Sequence, residues 1–259
     1  MTKLAANLTM LFTELPFLER FRAAAQANFK AVEFLFPYAF EPAQIAEQLR
    51  KNELELVLHN LPAGNWEAGE RGIACHPDRV SEFRQGIDEA IRYAKIFGVR
   101  QLNCLVGIQP QGVSAAAARE TLVANLRFAA DKLQAEGIAL LIEPINYFDI
   151  PGFFLNTTKQ AAELIASTGS SNLFIQYDIY HMQRMEGELA NIIKANLSLI
   201  RHVQLADNPG RFEPGTGEIN YRFLFKHLDE IGYQGWIGCE YKPKAGTVEG
   251  LGWRTAHGL

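Results

Sequence analysis

The chain has 259 residues, of which 48% are hydrophobic and 21% charged, with a formal net charge of -4 at pH 7. This balance lacks the basic surface that nucleic-acid-binding proteins use, and it gives no general attraction to an anionic membrane. No apolar run reaches the roughly 20 residues of a membrane helix, and neither a signal peptide nor a paired-cysteine motif is evident. The sequence therefore predicts a cytoplasmic protein with no nucleic-acid or membrane partner.

Apolar strand patterns and helical patterns alternate along the chain. The predicted strands cover residues 4–8, 31–36, 54–58, 99–106, 138–143, 173–178, 200–206 and 236–241. The predicted helices begin at Pro16 and Pro42, then cover residues 78–97, 114–137, 157–168, 186–197, 220–231 and 247–257. Near-continuous apolar strands separated by helices are typical of a parallel sheet that is covered on both faces.

Strict alternation fits both a closed barrel and an open, doubly wound sheet. The count of eight strands and the lack of a Gly-rich GxGxxG turn after the first strand favour closure. We therefore predict an α/β protein with one domain over residues 1–259, a (β/α)8 TIM barrel whose active site lies at the carboxyl ends of the strands.

Four oxygen-bearing side chains stand at or near the ends of consecutive predicted strands. They are Glu143, Asp178, Gln204 and Glu240, separated by 35, 26 and 36 residues, close to one strand-and-helix unit. Any single one of the three carboxylates would equally well cap the next helix or pair with a lysine. Four together predict a site for a hard divalent cation, Mg2+ or Mn2+, since such ions prefer oxygen ligands.

Three histidines lie near these strand ends. His181 follows Asp178 by three residues, on a predicted loop above the site, where it would contact substrate or metal. His59 ends the third predicted strand and points to the same rim. His202 shares a strand face with Gln204, and we interpret it as a hydrogen-bonded residue deeper in the barrel.

Sequence motifs along nearly the whole chain support a family resemblance. They include HNLPAG at 59–64, IEPIN at 142–146, QYDIYH at 176–181, EPGTGEINY at 213–221 and GWIGCEY at 235–241. With these motifs the chain resembles the hydroxypyruvate isomerase family, within the xylose-isomerase-like barrel enzymes that also include sugar-acid isomerases and ketose 3-epimerases.

The resemblance implies a role for each matched residue. A metal would be held by Glu143, Asp178, Gln204 and Glu240, and the two glutamates would also transfer protons. His181 would contact substrate oxygens, and Arg211 would take the place of the substrate-binding arginine of related epimerases. Gln204 departs from the wider superfamily, in which many members carry histidine, and a neutral amide favours Mg2+ or Mn2+.

The implied reaction converts hydroxypyruvate to 2-hydroxy-3-oxopropanoate, or tartronate semialdehyde, through an enediolate. Three carboxylates outweigh a divalent cation by one charge, and this substrate is itself an anion, so a further cation is needed nearby. Arg211 is the first candidate, because its guanidinium can hold a carboxylate with two hydrogen bonds, although a solvated loop arginine is the alternative. Lys242 and Arg71 are the other candidates, and His59 remains one for substrate binding.

Several alternatives stay open. A 2-oxo-tetronate isomerase, acting on a four-carbon sugar acid, or a ketose 3-epimerase would use the same site. A barrel nuclease would need a histidine-rich multi-metal cluster and a basic groove, and a non-catalytic binding protein would need no metal. The partner is therefore expected to be a small 2-oxo or hydroxy acid. A homodimer or higher homo-oligomer is also expected, on the assumption that Phe153 and Phe154 are exposed.

Overall fold

Eight parallel strands close into a barrel in the order of the sequence. The computed structural model describes residues 2–258. The strands are β1 (Lys3–Asn7), β2 (Ala31–Glu33), β3 (Glu55–Asn60), β4 (Gln101–Cys104), β5 (Ala139–Ile142), β6 (Leu173–Asp178), β7 (Ile200–Leu205) and β8 (Trp236–Cys239). Strand β8 pairs with β1, with Lys3 opposite Trp236, which closes the ring. The predicted TIM barrel is confirmed.

Helices follow the strands and cover the outside of the barrel. They are α1 (Phe17–Gln26), α2 (Pro42–Lys51), α3 (Val80–Phe97), α4 (Ala115–Ala135), α5 (Thr158–Thr168), α6 (Ile179–Met185), α7 (Leu189–Ala195), α8 (Tyr221–Glu230), α9 (Thr247–Gly250) and α10 (Gly252–Ala256). A single 3-10 turn, Pro77–Arg79, precedes α3. None of the described helices is long and apolar enough to cross a membrane.

Element boundaries differ from the predictions at several places, of which three concern β2, the start of α6 and the C-terminal helix. Strand β2 ends at Glu33 instead of residue 36, next to an irregularity in its pairing with β3. The sequence analysis predicts a loop where the structure has α6. This helix begins directly after β6 because the Asp178 side chain accepts hydrogen bonds from its first amides. The helix predicted over 247–257 is divided at Leu251 into α9 and α10.

The buried residues form two apolar regions. The larger lies between the strands and the helices, where the α3 stripe of Phe83 and Ile87 packs. A small separate cluster consists of Ala5, Ala31, Val57, Leu58 and Leu141. Because strand residues two apart share a face, Ala5 and Leu141 lie below Asn7 and Glu143. The barrel interior therefore contains this apolar cluster below the polar residues of the carboxyl ends, together with the deeper polar contact between Gln101 and His202.

The aromatic residues expected to form an exposed surface are placed differently. Phe153 is 2% exposed, and Phe154 packs half-buried against the core, so the sequence argument for an oligomer from these two residues is wrong. The exposed aromatic pair in this loop is Tyr147 and Phe148. The oligomer itself stays a prediction.

Candidate active site and metal centre

A cavity of about 640 Å3 opens at the carboxyl ends of the barrel strands. Seven of the nine predicted site residues line it: Glu143, Gln204, Glu240, His181, Arg211, Lys242 and Arg71. Asp178 lies fully buried beside the cavity, with its carboxylate close to His181 and Arg211. The barrel thus brings together residues that are far apart in sequence, as the spacing of the strand ends predicts.

Asp178 has one oxygen that is satisfied and one that is not. Its Oδ1 accepts hydrogen bonds from the backbone amides of Tyr180 at 2.8 Å and His181 at 3.4 Å. Its Oδ2 is buried and has no hydrogen-bond partner. A buried carboxylate oxygen without a partner is costly unless a cation supplies the missing interaction. This atom is therefore well suited to a metal ion.

Glu143, Asp178 and His181 form a buried cluster in which one ligand atom of each lies within 4.8 Å of the others. The other side of the Glu143 carboxylate is held in place, since Oε2 accepts a hydrogen bond of 3.1 Å from Nδ2 of Asn103. The cluster is compact enough to hold one metal ion. Its carboxylate oxygens favour a hard divalent cation.

Burial makes the ionised carboxylates of this site unfavourable. It raises the pKa of Glu143 well above its usual value, with the neighbouring charges of Glu240 and Asp178 adding to the effect. Burial also raises the pKa of Asp178 to about 6 and that of Glu240 to about 8, although the positive charge of Arg211 opposes both shifts. A bound cation would relieve this cost, because it favours the charged form of each carboxylate.

Arg211 reaches into the carboxylate cluster from the loop after β7. Its Nη2 lies 2.9 Å from Oε1 of Glu240 and 3.8 Å from Oδ2 of Asp178, and its guanidinium lies 5.3 Å from the ring centre of Tyr180. Its side chain is 20% exposed. The alternative of a solvated loop arginine is therefore wrong.

The loop that carries Arg211 is organised around Asp207, which is 1% exposed. The Asp207 carboxylate accepts hydrogen bonds from the backbone amides of Asn208, Gly215, Gly217 and Ile219, at 2.8 to 3.1 Å. In addition, the backbone amide of Arg211 donates to the Asp207 carbonyl at 2.8 Å. One buried side chain thus fixes both ends of the loop.

Gln204 lies in the cavity, and its amide makes two hydrogen bonds to protein groups. Its Nε2 donates to Oε1 of Glu33 at 2.7 Å, and its Oε1 accepts a hydrogen bond of 2.6 Å from Nε2 of Gln176. This oxygen has a second lone pair that is available to an ion. No contact of Gln204 tests this, so its role as a ligand stays a prediction.

Glu33 is a site residue that the sequence analysis left without a role. It is fully buried, and its Oε2 lies 2.6 Å from Nε2 of His202, which confirms His202 as a hydrogen-bonded barrel residue. A Cβ at Gly238 would lie 2.3 Å from both carboxylate oxygens, so the glycine makes room for Glu33. The available signal was a charge inside the apolar segment AVEF, but its partner stands 169 residues away.

His181 lies on α6 and not on a loop, and it is 2% exposed. Its Nε2 faces the carboxylates, 3.6 Å from Oδ2 of Asp178 and 3.8 Å from Oε1 of Glu143. Its Nδ1 lies 2.6 Å from Nδ2 of Asn146, another residue without an assigned role. Burial lowers the pKa of His181 well below its usual value, and the charges of Arg211 and Arg184 act in the same direction.

The remaining candidates differ in position. Arg71 lies on the cavity wall, where its guanidinium stacks 4.0 Å from the ring centre of Trp66, and Lys242 also lines the cavity. His59 is not among the cavity-lining residues: its ring packs among Phe34, Tyr38 and Phe97. The structure thus brings Arg71 and Lys242 to the site and places the His59 side chain outside it.

Comparison with known proteins extends these findings. A family described as the xylose isomerase-like TIM barrel matches residues 21–257. The chain is 57% identical over 253 residues to a hydroxypyruvate isomerase of Escherichia coli K12, covering 98% of each chain. It is 45% identical to a 2-oxo-tetronate isomerase of Cupriavidus necator, covering 98% of this chain and 97% of the relative.

Solved structures show the same architecture. A Brucella melitensis protein described as an AP endonuclease, family 2, superposes with a TM-score of 0.96 at 44% identity, covering 99% of both chains. A D-psicose 3-epimerase of Clostridium cellulolyticum H10, solved with D-tagatose, gives a TM-score of 0.77 at 18% identity, covering 97% of this chain and 89% of the other. The latter likeness supports the fold alone.

Proposed function

We propose that this chain, which belongs to the xylose isomerase-like TIM barrel family, is an isomerase that interconverts hydroxypyruvate and 2-hydroxy-3-oxopropanoate (tartronate semialdehyde). The observation that carries the proposal is 57% identity to a hydroxypyruvate isomerase over 98% of both chains. The buried carboxylate site, at the strand ends where TIM-barrel enzymes perform catalysis, supplies suitable chemistry.

A divalent cation, Mg2+ or Mn2+, fits the residues of the site. We assign Glu143, Asp178 and Glu240 as its carboxylate ligands and Gln204 as the fourth ligand, on the support of the unpartnered Asp178 Oδ2 and the raised carboxyl pKa values. When bound, the ion supplies positive charge beside the oxygens on which negative charge develops as the substrate loses a proton.

The isomerisation moves one proton from the hydroxyl-bearing carbon to the neighbouring carbonyl carbon, and a second proton from the hydroxyl oxygen to the carbonyl oxygen. Glu143 and Glu240 are the groups assigned to the transfer between the carbons. Both carboxylates line the cavity. A carboxylate positioned within hydrogen-bond reach of a substrate carbon can take up its proton and return it to the neighbouring carbon.

The hydrogen-bond donors around the cavity, which include a charged arginine and a neutral histidine, suit a small anionic substrate. Arg211 is assigned to the substrate carboxylate, and His181 to a substrate oxygen. Lys242 and Arg71 also line the cavity and add positive charge for an acid. His59, the remaining candidate for substrate contact, would need a different orientation of its ring to reach the cavity.

The first experiment measures isomerisation of hydroxypyruvate before and after removal of metal with EDTA. Activity should disappear on stripping and return with Mg2+ or Mn2+. Undiminished turnover by the stripped protein would remove the metal from the proposal. Replacing Glu143 or Glu240 with Gln keeps the size of the side chain and removes the base, so each change should reduce kcat by about a hundredfold or more.

Solvent deuterium separates proton transfer from binding. In D2O the unmodified protein should place deuterium on the carbon that receives the proton, and Glu143→Gln or Glu240→Gln should stop this incorporation. Calorimetric titration with Mg2+ shows whether a variant has lost the ion instead. A variant that binds Mg2+ and turns over substrate normally would lose its assigned role in proton transfer.

A 2-oxo-tetronate isomerase is the second candidate function. The observation in its favour is 45% identity to an enzyme of that name over 98% of this chain. Its substrate has one more carbon, and the same carboxylates would serve. Comparing kcat/KM for hydroxypyruvate, four-carbon 2-oxo acids and free ketoses decides between these activities and also tests a ketose 3-epimerase.

A nuclease is not supported by the site, despite the name of the Brucella structure. The chain carries a net charge of -4, whereas nucleic-acid-binding surfaces are basic. Over residues 2–258, one cluster of potential metal ligands from His, Cys, Asp and Glu is found, and it contains a single histidine. This is not the histidine-rich multi-metal cluster that such a nuclease needs.

A further inference from the structure

The role of His181 depends on which ring nitrogen carries its proton. Its Nε2 faces the carboxylates of Glu143 and Asp178, so a bare Nε2 would be a metal ligand, and a protonated Nε2 would be a hydrogen-bond donor. The choice is set at the other nitrogen, since the tautomer of a neutral histidine follows from the bond made by its second ring atom. In this protein Nδ1 meets Asn146.

The orientation of the Asn146 amide is fixed by two contacts to Asp149. Oδ1 of Asn146 accepts a hydrogen bond of 2.9 Å from the Asp149 backbone amide, and Nδ2 donates one of 3.1 Å to the Asp149 carboxylate. A backbone amide only donates, and an ionised carboxylate only accepts. If the Asn146 amide were flipped, its NH2 group would face the N–H of Asp149, and its oxygen would face the Asp149 carboxylate. Two donors would then meet at one end and two acceptors at the other.

With this orientation, the second hydrogen of Nδ2 points at His181. The distance from Asn146 Nδ2 to His181 Nδ1 is 2.6 Å, so Nδ1 must present its lone pair, and the ring proton must stand on Nε2. The distances from Nε2 to Asp178 Oδ2, 3.6 Å, and to Glu143 Oε1, 3.8 Å, are too long for hydrogen bonds. The Nε2 proton is thus left facing the space between the carboxylates.

Asp149, which orients Asn146, is itself held by several groups. Its carboxylate accepts a hydrogen bond of 3.0 Å from the Tyr180 hydroxyl and is ion-paired with Arg184. Arg184 also donates to the Tyr180 hydroxyl at 3.0 Å. Asn146 itself is fully buried. Such supporting shells commonly fix the orientation and tautomer of functional histidines.

We propose that Asn146 is a positioning residue that fixes His181 as the Nε2–H tautomer, so that His181 donates a hydrogen bond to a substrate oxygen and does not ligate the metal. The assignment of a substrate oxygen as acceptor rests on the proposed function. The tautomer does not, because it follows from contacts within the protein. The metal ion would accordingly be held by the oxygen ligands alone.

Nitrogen-15 NMR of the histidine rings tests this directly on the full chain without substrate. Signals of His181 are assigned by their loss in His181→Gln. In the unmodified protein, Nε2 should give the shift of a protonated nitrogen and Nδ1 that of a bare one. The pattern should persist when Mg2+ is added. A protonated Nδ1, or loss of the Nε2 proton on adding Mg2+, would overturn the proposal.

Asn146→Asp supplies a second test, because a carboxylate at this position accepts and so requires Nδ1–H. The variant should show the opposite tautomer, and its kcat/KM should decrease by about tenfold or more. Asn156→Asp is the matched control: this asparagine lies in the same loop and donates to the Ile145 carbonyl at 2.8 Å. It should keep the original tautomer.

These measurements separate the inference from the proposed function. If hydroxypyruvate is not a substrate, the NMR pattern still decides the tautomer. If Asn146→Asp reverses the tautomer and leaves kcat/KM for hydroxypyruvate unchanged, the donor role of His181 is refuted while the isomerase activity stands. A decrease in kcat/KM without reversal of the tautomer would refute the positioning role of Asn146.

Discussion

The guanidinium of Arg211 lies 2.9 Å from the Glu240 carboxylate, which is itself assigned to both metal binding and proton transfer. The same nitrogen is 3.8 Å from Oδ2 of Asp178, the oxygen without a hydrogen-bond partner. Arg211 therefore neutralises part of the carboxylate cluster in the metal-free protein. A divalent ion and Arg211 together balance the charge of three carboxylates, and the Arg211 Nε has no hydrogen-bond partner among the described residues of the protein.

Replacing Arg211 with Ala should weaken the binding of an acidic substrate. Because a hydrogen-bonded charge pair is lost, KM for hydroxypyruvate should increase by about ten- to a hundredfold, with a smaller change in kcat. Affinity for Mg2+ should increase, since a competing positive charge beside Glu240 is removed. Steady-state kinetics and calorimetric titration with Mg2+ measure the two effects.

Arg211→Lys is the matched control for this prediction. It keeps the charge but loses the planar pair of donors. Its Mg2+ affinity should therefore be close to that of the unmodified protein, and its substrate affinity should lie between those of Arg211→Ala and the unmodified protein. An equal loss of activity on acids and on neutral sugars in Arg211→Ala would show that Arg211 does not bind the substrate carboxylate.

Asp207 should act on substrate binding through Arg211. Its replacement with Ala leaves four loop amides without their acceptor, so the loop loses its fixed shape and KM should increase. Asp207→Asn keeps one acceptor oxygen and should be milder. Kinetics on Asp207→Ala and on the double variant with Arg211→Ala measure the coupling.

The double variant decides how Asp207 acts. If its only task is to position Arg211, adding Asp207→Ala to Arg211→Ala should change KM by less than about twofold. Fully additive losses would assign Asp207 a separate function. Circular dichroism and the thermal midpoint of each variant provide the check that the barrel itself stays folded.

The barrel and the main carboxylates were predictable because both depend on local sequence. Apolar runs and helical stripes mark each strand and helix, and the topology of a closed parallel barrel brings the strand ends together. Glu143, Asp178 and Glu240 therefore followed from their positions after apolar strands, without knowledge of any contact. The family resemblance then supplied roles for Gln204 and Arg211.

The supporting residues were not predictable, because their roles depend on distant partners. Glu33 bonds across the barrel to His202 and Gln204, and Asn146 meets His181 only because α6 begins at Asp178. No periodic pattern marks such pairs. His59 was assigned to the rim from its place at a strand end, but the direction of its ring depends on the packing of the aromatic layer.

The metal-free protein should lose stability as the pH rises from about 5 to 8. Burial raises the pKa of Asp178 from 3.8 to about 6 and that of Glu240 from 4.5 to about 8, so the folded state retains protons that the unfolded chain has released. The contribution of these two protonated carboxyl groups to stability is fully present below their pKa values in the unfolded chain. It is lost as the pH rises through their pKa values in the folded protein. Thermal midpoints across this range measure the loss.

Metal binding should oppose this decrease. Mg2+ competes with protons for the carboxylates, so the rise in thermal midpoint on adding Mg2+ should be small at pH 5.5 and larger at pH 8. Glu240→Gln, measured without metal, removes one titrating group and should flatten the pH dependence. A metal-induced shift that is the same at both pH values would contradict the assignment of these carboxylates as ligands.

His59 should be dispensable for catalysis. Its ring stacks on Phe34 with centroids 6.3 Å apart, its Nδ1 lies 3.1 Å from the Asn60 carbonyl, and its buried Nε2 has no partner. His59→Phe fits this aromatic layer, loses one modest hydrogen bond and removes an unsatisfied polar atom. We expect kcat/KM for hydroxypyruvate within about twofold of the original and stability at pH 7 within about 1 kcal/mol.

The same variant should be more resistant to acid. Burial lowers the pKa of His59 from 6.5 to about 4, so the folded state must keep the ring neutral at a pH where the unfolded chain protonates it. The resulting loss of stability begins as the pH falls below 6.5 and is complete below about 4. A phenylalanine at this position does not bind a proton, so His59→Phe does not undergo this loss. Urea unfolding at pH 7 and pH 5 should show that the stability of His59→Phe, relative to that of the unmodified protein, increases when the pH is lowered. His181→Phe changes a cavity residue and should abolish activity in the hydroxypyruvate assay. A comparable loss of activity in folded His59→Phe would restore the substrate-binding role that the sequence predicts for His59.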